Sequence, residues 1–158
     1  PALYQRLAEE PRVRFLPACD THNIARLAAL RRFTAINSVL EVDLFGQANA
    51  EFIRGRQVSG TGGLTDFLRG ARASPGGTGI TALLSTAAGG ALSRIVPRLA
   101  PDAVTVPRAD MDVVVTEHGH ARLRGLDLDA RAAALIAIAA PAHRARLASA
   151  WDEMRRAM

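Results

Sequence analysis

The stretch Asp112-Val113-Val114-Val115-Thr116-Glu117-His118-Gly119 joins three consecutive valines to a carboxylate and a glycine. A short apolar run without polar alternation is typical of a strand buried on both faces, as in a parallel sheet. Residues 80–84 form a second such run, and residues 33–44 are β-branched and alternating, as one long strand or two short ones. Helical patterns over residues 128–139 and 142–154 follow, the second beginning after Pro141. This alternation predicts an α/β domain with an open, largely parallel sheet flanked by helices.

Weaker patterns complete the predicted order of elements. They indicate helices over residues 2–10 and from Leu64 onward, a helix capped by Asp20 or Thr21 that reaches Arg32, and strands at residues 13–16, 51–59 and 104–106. No internal repeat or linker interrupts the chain, so residues 1–158 are predicted to form one domain.

Composition excludes several classes of protein. Hydrophobic residues make up 49% of the 158, which is too apolar for a disordered chain. No apolar run approaches the ~20 residues of a membrane span, and the first residues are not a signal peptide. The net charge is +5 and every basic residue is Arg. Because the arginines are interleaved with acids and aromatics are 4%, we expect neither nucleic-acid nor membrane binding.

Cysteine and histidine usage also limits the chemistry. Cys19 is the single cysteine, which excludes an internal disulfide and a Cys-rich zinc site and favours a cytoplasmic protein. His118 and His120 lack a third ligand nearby, so no metal site is predicted. His22 and His143 have the pattern of helix-surface residues. Because the chain begins with Pro1, we also consider that it is a processed product or part of something longer.

Two glycine turns are candidate anion-binding loops. Gly60-Thr61-Gly62-Gly63 lies between a predicted strand and a predicted helix, where backbone N–H groups converge on an anion. Ala87-Ala88-Gly89-Gly90 has the same character after the strand at 80–84. At the ends of adjacent strands, two such turns would form a crevice site. A tight structural turn is the alternative for each.

Acidic residues offer a further candidate site. Glu117 follows a buried strand, where a carboxylate either serves a site or is satisfied by local backbone donors. Asn37, Glu41 and Asp43 share one strand region, where a buried polar side chain is expected to tie neighbouring backbone together. No Gly-x-Ser-x-Gly elbow is present, and Cys19 has no base beside it in sequence, which disfavours a Ser or Cys nucleophile.

Several phrases, in order and spacing, carry a family resemblance. They are Ile36-Asn37-Ser38-Val39-Leu40-Glu41-Val42-Asp43-Leu44-Phe45-Gly46-Gln47, Gly55-Arg56-Gln57-Val58-Ser59-Gly60-Thr61-Gly62-Gly63, Ser93-Arg94-Ile95-Val96-Pro97, Thr116-Glu117-His118-Gly119 and Ala134-Leu135-Ile136-Ala137-Ile138-Ala139. From about Leu3 to Leu147 the chain resembles the C-terminal domain of the acetyl-CoA hydrolase/transferase family, which includes acetate, succinate and 4-hydroxybutyrate CoA-transferases. The resemblance implies an α/β fold like one half of a CoA-transferase, with the active site between two halves.

The resemblance also implies a reaction. A glutamate attacks an acyl-CoA thioester, and an enzyme-bound glutamyl-CoA thioester forms. A second, small carboxylate then accepts the CoA, whereas in a hydrolase water takes the place of that carboxylate. Coenzyme A is a substrate, and no permanently bound cofactor is expected. The resemblance does not distinguish a transferase from a hydrolase, and it does not identify the acyl group.

Site residues are carried over by position. Gly63 matches an oxyanion-hole glycine, shaped by Gly60 and Gly62, and Glu117 matches a supporting glutamate. Asn23 falls where the family places an active-site Asn, and Ala88-Gly89-Gly90 matches the segment that approaches CoA. Three departures stand out: Ala88 replaces a frequent Lys, His118 a common Tyr, and Leu64 a common Gln.

The nucleophilic glutamate has no match in this chain. The resemblance places it upstream, so we expect a separate N-terminal half, inactivity of this chain alone, and an exposed apolar face that docks that half or forms a homodimer. A stand-alone, non-catalytic CoA- or nucleotide-binding module is the alternative. An open-sheet sugar-phosphate isomerase is a third interpretation, which the ordered phrases disfavour.

Overall fold

The computed structural model describes residues 2–101 and 103–158, in which helices flank a twisted sheet. The helices are α1 (Ala2–Glu9), α2 (Ala18–Thr21), α3 (Ile24–Ala29), α4 (Leu64–Ala73), α5 (Leu128–Ala137) and α6 (Pro141–Arg156). The strands are β1 (Thr34–Ser38), β2 (Glu41–Asp43), β3 (Ala48–Asn49), β4 (Phe52–Ile53), β5 (Arg56–Gln57), β6 (Thr78–Ala82), β7 (Thr86–Ala87), β8 (Leu92–Ser93), β9 (Ile95–Val96), β10 (Val113–Thr116) and β11 (Gly119–Arg122).

The main sheet has the strand order β1-β6-β10-β11. Strands β1, β6 and β10 run parallel, with Ile80 opposite both Ile36 and Val113, whereas β11 returns antiparallel from β10. The predicted open, largely parallel sheet flanked by helices is therefore confirmed. A smaller sheet, in the order β3-β2-β9, extends the structure beyond the end of β1.

Short connections fix the direction of the helices. α3 and α4 each precede a parallel strand by four residues, 30–33 and 74–77, so each runs antiparallel to the strand that it feeds. Gly79 allows α4 to lie close to the sheet, since a Cβ there would stand 2.9 Å from Leu68 Cδ2. The N-termini of α3 and α4 therefore lie at the edge where β1, β6 and β10 end.

A single apolar core joins both sheets to the C-terminal helices. Val42, Leu44, Val114, Leu135 and Leu147 are among its fully buried members. The Asp127 carboxylate caps α5 by accepting from Ala130 N–H at 2.8 Å, and Pro141 opens α6 as predicted. This core holds the strand ends, and the loops that follow them, in place.

A buried polar side chain in the strand region was predicted to tie neighbouring backbone together, and Asp43 confirms this. Asp43 is fully buried, and its carboxylate accepts from Phe45 N–H, Gln47 N–H, the Gln47 side-chain amide and Leu99 N–H. It thereby fixes the turn after β2 and a distant loop.

Four predicted elements differ in the structure. Residues 13–16 are exposed coil between Pro11 and Pro17, because they do not pair with a strand of the sheet. The predicted strand at 51–59 is the hairpin β4–β5, which turns at Arg54 and Gly55, both with positive φ of 51° and 73°. Residues 104–106 contribute a single bridge from Val106 to Ala48.

The fourth difference concerns the helix before β1. It is broken into α2 and α3, and Asn23, not Asp20 or Thr21, caps the second part by accepting from Arg26 N–H at 3.1 Å. The predicted Asp20 or Thr21 cap is wrong because the chain turns at His22 before the longer helix begins.

Candidate functional site

A crevice opens at the carboxyl ends of the three parallel strands. Its volume is about 500 Å³, and its lining includes the last residues of the three strands, Ser38, Ala82 and Thr116, and Leu84 just after β6. Arg94 also lines it and donates from Nη1 to the Leu40 carbonyl at 2.7 Å. In an open α/β sheet this edge is where ligands bind.

Glu117 stands beside this crevice in the two-residue turn between β10 and β11. The turn is fixed by Thr116, whose hydroxyl accepts from His118 N–H at 3.1 Å. Both carboxylate oxygens of Glu117 accept from Ser85, Oε2 from the backbone N–H at 2.8 Å and Oε1 from the hydroxyl at 2.6 Å. Ser85 itself is fully buried just after β6. The segment after β6 thus holds the carboxylate of Glu117, which follows the neighbouring strand β10. The Glu117 side chain remains 41% exposed.

These contacts keep Glu117 ionised. The Ser85 hydroxyl hydrogen bond, followed by the Ser85 amide, lowers the pKa of the Glu117 carboxyl below its ordinary value. The neighbouring His118, with Nε2 at 3.7 Å from Oε1, acts in the same direction. At neutral pH the site therefore presents a fixed negative charge whose remaining lone pairs face solvent.

Gly63 begins α4 at the same edge of the sheet. It is the N-cap residue, and its N–H makes no hydrogen bond to the described residues. Among the described residues no side chain caps the first-turn amides of α4, which carry the positive end of the helix dipole, and Asp66 is the acidic residue of that turn. Gly60 and Gly62 shape the exposed approach, Gly62 with a φ of 53°. The arrangement suits a developing negative charge.

His22 fills the space where a side chain at position 63 would stand. A Cβ there would lie 2.2 Å from His22 Cδ2 and 2.3 Å from His22 Nε2. The interpretation of His22 as a helix-surface residue is thus wrong, because α2 ends early and its ring turns onto the glycine. His22, Gly62 and Gly63 line one open cavity of about 540 Å³, together with Cys19 and Asp66.

Asn23 lies at the same edge, one residue beyond this ring. Its side-chain oxygen is the α3 cap, and its amide nitrogen makes no hydrogen bond within the described part of the chain. The residue is exposed.

The second glycine turn forms a 3₁₀ turn between β7 and β8. Ala88, Gly89 and Gly90 all have positive φ, at 51°, 65° and 95°, and all three are exposed. His143, at the start of α6, contacts the Gly90 carbonyl through Nε2 at 2.9 Å, so its interpretation as a free helix-surface residue is incomplete.

We predicted a crevice formed by two glycine turns at the ends of adjacent strands. The structure does not place the two turns in this way. Gly60–Gly63 comes after the β4–β5 hairpin, which forms a separate two-stranded sheet. The first turn reaches the carboxyl edge because it begins α4, not because a main-sheet strand ends there.

A larger cavity of about 760 Å³ borders the second turn. Ala91 and Ser93 line it, as do the guanidinium-bearing side chains of Arg54, Arg98 and Arg146. Arg98 also stacks over Phe45 at 4.8 Å from the ring centroid. Sequence reasoning did not find this group, because the three arginines come from separate segments.

The described residues hold neither a metal-ligand cluster nor a membrane-spanning helix. No three His, Cys, Asp or Glu side chains in 2–101 and 103–158 are grouped to hold a metal ion. Within those same ranges, no helix has the length and apolar character to cross a membrane.

The chain is similar in sequence and in structure to known proteins. Residues 1–151 match the acetyl-CoA hydrolase/transferase C-terminal domain family. The chain is 44% identical to a succinyl-CoA:cyclohexane-1-carboxylate CoA transferase from Geobacter metallireducens, over 98% of this chain and 36% of that protein. It is 43% identical to a 4-hydroxybutyrate coenzyme A transferase from Clostridium kluyveri, over 92% and 34%. The crystal structure of RipA from Yersinia pestis superposes with a TM-score of 0.91 at 39% identity, over 98% and 35%.

The chain therefore belongs to the acetyl-CoA hydrolase/transferase C-terminal domain family. It spans about a third of the length of these relatives.

Proposed function

We propose that this chain forms one side of the active site of an acyl-CoA hydrolase or CoA-transferase that works through a glutamyl-CoA thioester. The nucleophilic Glu carboxylate attacks the acyl-CoA carbonyl and expels the CoA thiolate, which leaves an acyl-glutamyl anhydride. The thiolate then attacks the glutamyl carbonyl and releases the acyl group as its carboxylate. An acceptor carboxylate reverses these steps, and water instead hydrolyses the thioester.

Both carbonyl attacks pass through a tetrahedral oxyanion, and Gly63 is proposed to stabilise it. The observation that carries the proposal is the free Gly63 N–H at the N-terminus of α4, on the same sheet edge as Glu117. A preorganised backbone donor at a helix N-terminus stabilises charge that develops in the transition state without reorganisation. Gly60 and Gly62 give the thioester room to approach.

Glu117 is proposed to orient the nucleophile and its intermediates. Ser85 holds its carboxylate from one side, and the exposed face remains free to accept a hydrogen bond from substrate or from a neighbouring group. Because Ser85 already holds both of its oxygens, Glu117 is proposed to support a nucleophile that another segment supplies, and not to attack the thioester itself. Asn23 is proposed to contribute its free amide nitrogen at the same edge.

The CoA phosphates are proposed to bind where the second glycine turn meets the arginine-lined cavity. Ala88 carries no charge, but Arg54, Arg98 and Arg146 supply cations around the adjoining space. Arginine pairs with phosphate in a bidentate manner, so these side chains serve in place of a lysine in the turn. Ala88, Gly89 and Gly90 present an exposed backbone to the ligand.

The nucleophile is proposed to come from a separate N-terminal half, in keeping with relatives about three times as long. The open face of the main sheet suits such a partner. Ile36 is 68% exposed in the middle of β1, and Ile80 and Val115 on the same face are half-buried. An aliphatic sheet face of this kind is stabilised when a second layer covers it.

The experiment compares the wild-type protein, as its gene encodes it, with Glu117→Gln and the matched control Asp110→Asn. Asp110 pairs with Arg69 at 2.8 Å, outside the residues assigned above. Exchange of ¹³C-acetate into acetyl-CoA, and hydrolysis of acetyl-CoA, are measured together. We expect Glu117→Gln to lower kcat about 10²-fold or more with the melting temperature kept, and Asp110→Asn to match wild type.

Two outcomes contradict the proposal. One is a wild-type protein that neither exchanges nor hydrolyses acetyl-CoA but binds CoA, which favours the non-catalytic module. The other is a Glu117→Gln variant that turns over like wild type, which removes Glu117 from the mechanism.

A further inference from the structure

The His22 ring lies against Gly63, the residue of the candidate oxyanion site that begins α4. No side chain fits at position 63, because the imidazole occupies its place at 2.2 and 2.3 Å. The backbone alone does not require a glycine there, since its φ of −92° is open to any residue. The glycine is therefore needed for the close approach of the ring.

Three contacts hold the ring in this position. The Thr21 hydroxyl lies 2.8 Å from Nδ1, and Phe67 meets the ring edge-to-face with centroids 4.9 Å apart. The third contact is the glycine itself. The ring is thus hydrogen-bonded at Nδ1 and packed against Phe67 and Gly63, and His22 lines the same cavity as Gly63.

The Thr21 hydroxyl is the polar partner of Nδ1. The hydroxyl has one proton, and its other acceptors, the Pro17 and Ala18 carbonyls, are more distant at 3.4 and 3.5 Å. The shortest of these contacts is the one to Nδ1, and a hydroxyl that donates there leaves the hydrogen of a neutral imidazole on Nε2. Nε2 lies beside Gly63, at 2.3 Å from where a Cβ of that residue would stand, and the proposal below uses the tautomer with its hydrogen on this nitrogen.

We propose that His22 is a further catalytic residue: its Nε2–H donates, beside the Gly63 N–H, to the oxyanion of each tetrahedral intermediate. This inference rests on the function proposed above. A backbone donor and a side-chain donor that converge on one point form a two-pronged oxyanion site. Thr21 is the positioning residue, since it fixes the tautomer and the plane of the ring.

The test measures kcat and KM for ¹³C-acetate exchange into acetyl-CoA by the whole protein. His22→Ala removes the donor, and His22→Gln replaces it, because the glutamine amide nitrogen overlaps the position of Nε2. His120→Ala is the matched control, since His120 is exposed on β11. Melting temperatures are recorded for every variant.

We expect His22→Ala to lower kcat about 10²–10³-fold, with a much smaller change in KM, because the lost bond forms in the transition state. His22→Gln recovers most of that loss, and His120→Ala matches wild type. Where His22→Ala does not fold, Thr21→Val carries the test. Thr21→Val keeps the His22 ring but removes the hydroxyl partner of Nδ1, and we expect kcat to fall about tenfold. Thr21→Ser keeps a hydroxyl there and is expected to have the kcat of wild type.

A folded His22→Ala variant with wild-type kcat overturns the inference, as does a His22→Gln variant no better than His22→Ala. Thr21→Val with unchanged kcat overturns the positioning role. If the wild-type protein itself neither exchanges nor hydrolyses acetyl-CoA, the proposed function fails first, and with it the inference.

Discussion

The tight contact at Gly63 leads to a stability prediction that does not depend on catalysis. Gly63→Ala places a methyl group 2.2 Å from His22 Cδ2 and 3.0 Å from Phe67 Cε2. Separations below 3.0 Å cannot persist, so the ring must move and lose its contacts to Thr21 and Phe67. Overpacking of this kind costs about 1–3 kcal/mol of unfolding free energy.

A double-mutant cycle isolates that cost. His22→Ala removes the ring and makes room for a methyl group at position 63. Gly63→Ala therefore lowers the unfolding free energy less in the His22→Ala background than in wild type. The remaining cost is the weaker N-cap of α4, about 0.5–1 kcal/mol. The N-cap cost is common to both backgrounds and cancels, so we expect a coupling equal to the overpacking cost, about 1–3 kcal/mol, above the ~0.5 kcal/mol scatter of independent sites.

The assay is urea unfolding of the 158-residue chain, with circular dichroism as the readout and both single variants and the double variant compared with wild type. Activity of the whole protein is measured in parallel. Additive free-energy changes would refute the reasoning, because they would mean that the His22 ring does not stand against Gly63 in solution.

Three further predictions follow from other contacts. Ser85→Ala removes the hydroxyl that stabilises the Glu117 carboxylate, so the pKa of Glu117 rises toward its ordinary value, as ¹³C NMR titration will show; an unchanged midpoint contradicts the assigned contact. Because that pKa is depressed in the folded state, the stabilisation from this bond is present above the unfolded pKa and is lost as pH falls through the folded one, so wild type and Ser85→Ala converge in stability in acid. Asp43→Ala leaves four N–H donors without their acceptor, two of them in buried and two in part-buried hydrogen bonds, and lowers the unfolding free energy by about 3 kcal/mol or more in urea melts; a loss below about 1 kcal/mol contradicts the role of Asp43 in the turn. Arg146→Ala raises the KM for acetyl-CoA about tenfold at low salt and reduces the salt dependence of KM, with kcat kept; a variant whose KM equals that of wild type at low and at high salt argues against phosphate binding in the arginine-lined cavity.

Much of the fold was open to sequence reasoning because its strongest signals are local. Val113-Val114-Val115 forms a central strand, and the patterns at 80–84 and 128–139 lie on a strand and a helix within a few residues of the predicted bounds. Strand β11 was missed, since Gly119–Arg122 alternates polar residues with one buried alanine and gives no apolar run.

The site was predictable in its parts but not in its contacts. The position of Glu117 after a buried strand and the Gly60–Gly63 turn before a helix are features of local sequence. The partner of Glu117 is a serine on another strand end, and the partner of Gly63 is a histidine before β1. Such pairings depend on the packing of α3 and α4 against the sheet, which no spacing along the chain encodes.

The central claim is that this chain completes a CoA-transfer site whose nucleophile lies outside residues 1–158. The most direct test is to incubate the whole protein with acetyl-CoA, digest it at low pH and map the CoA adduct by mass spectrometry. The account predicts a CoA thioester on a glutamate outside this chain, formed more slowly in His22→Ala and Glu117→Gln. A CoA adduct on Glu9, Glu10, Glu41 or any other residue of the chain would contradict the account, and so would the absence of any adduct.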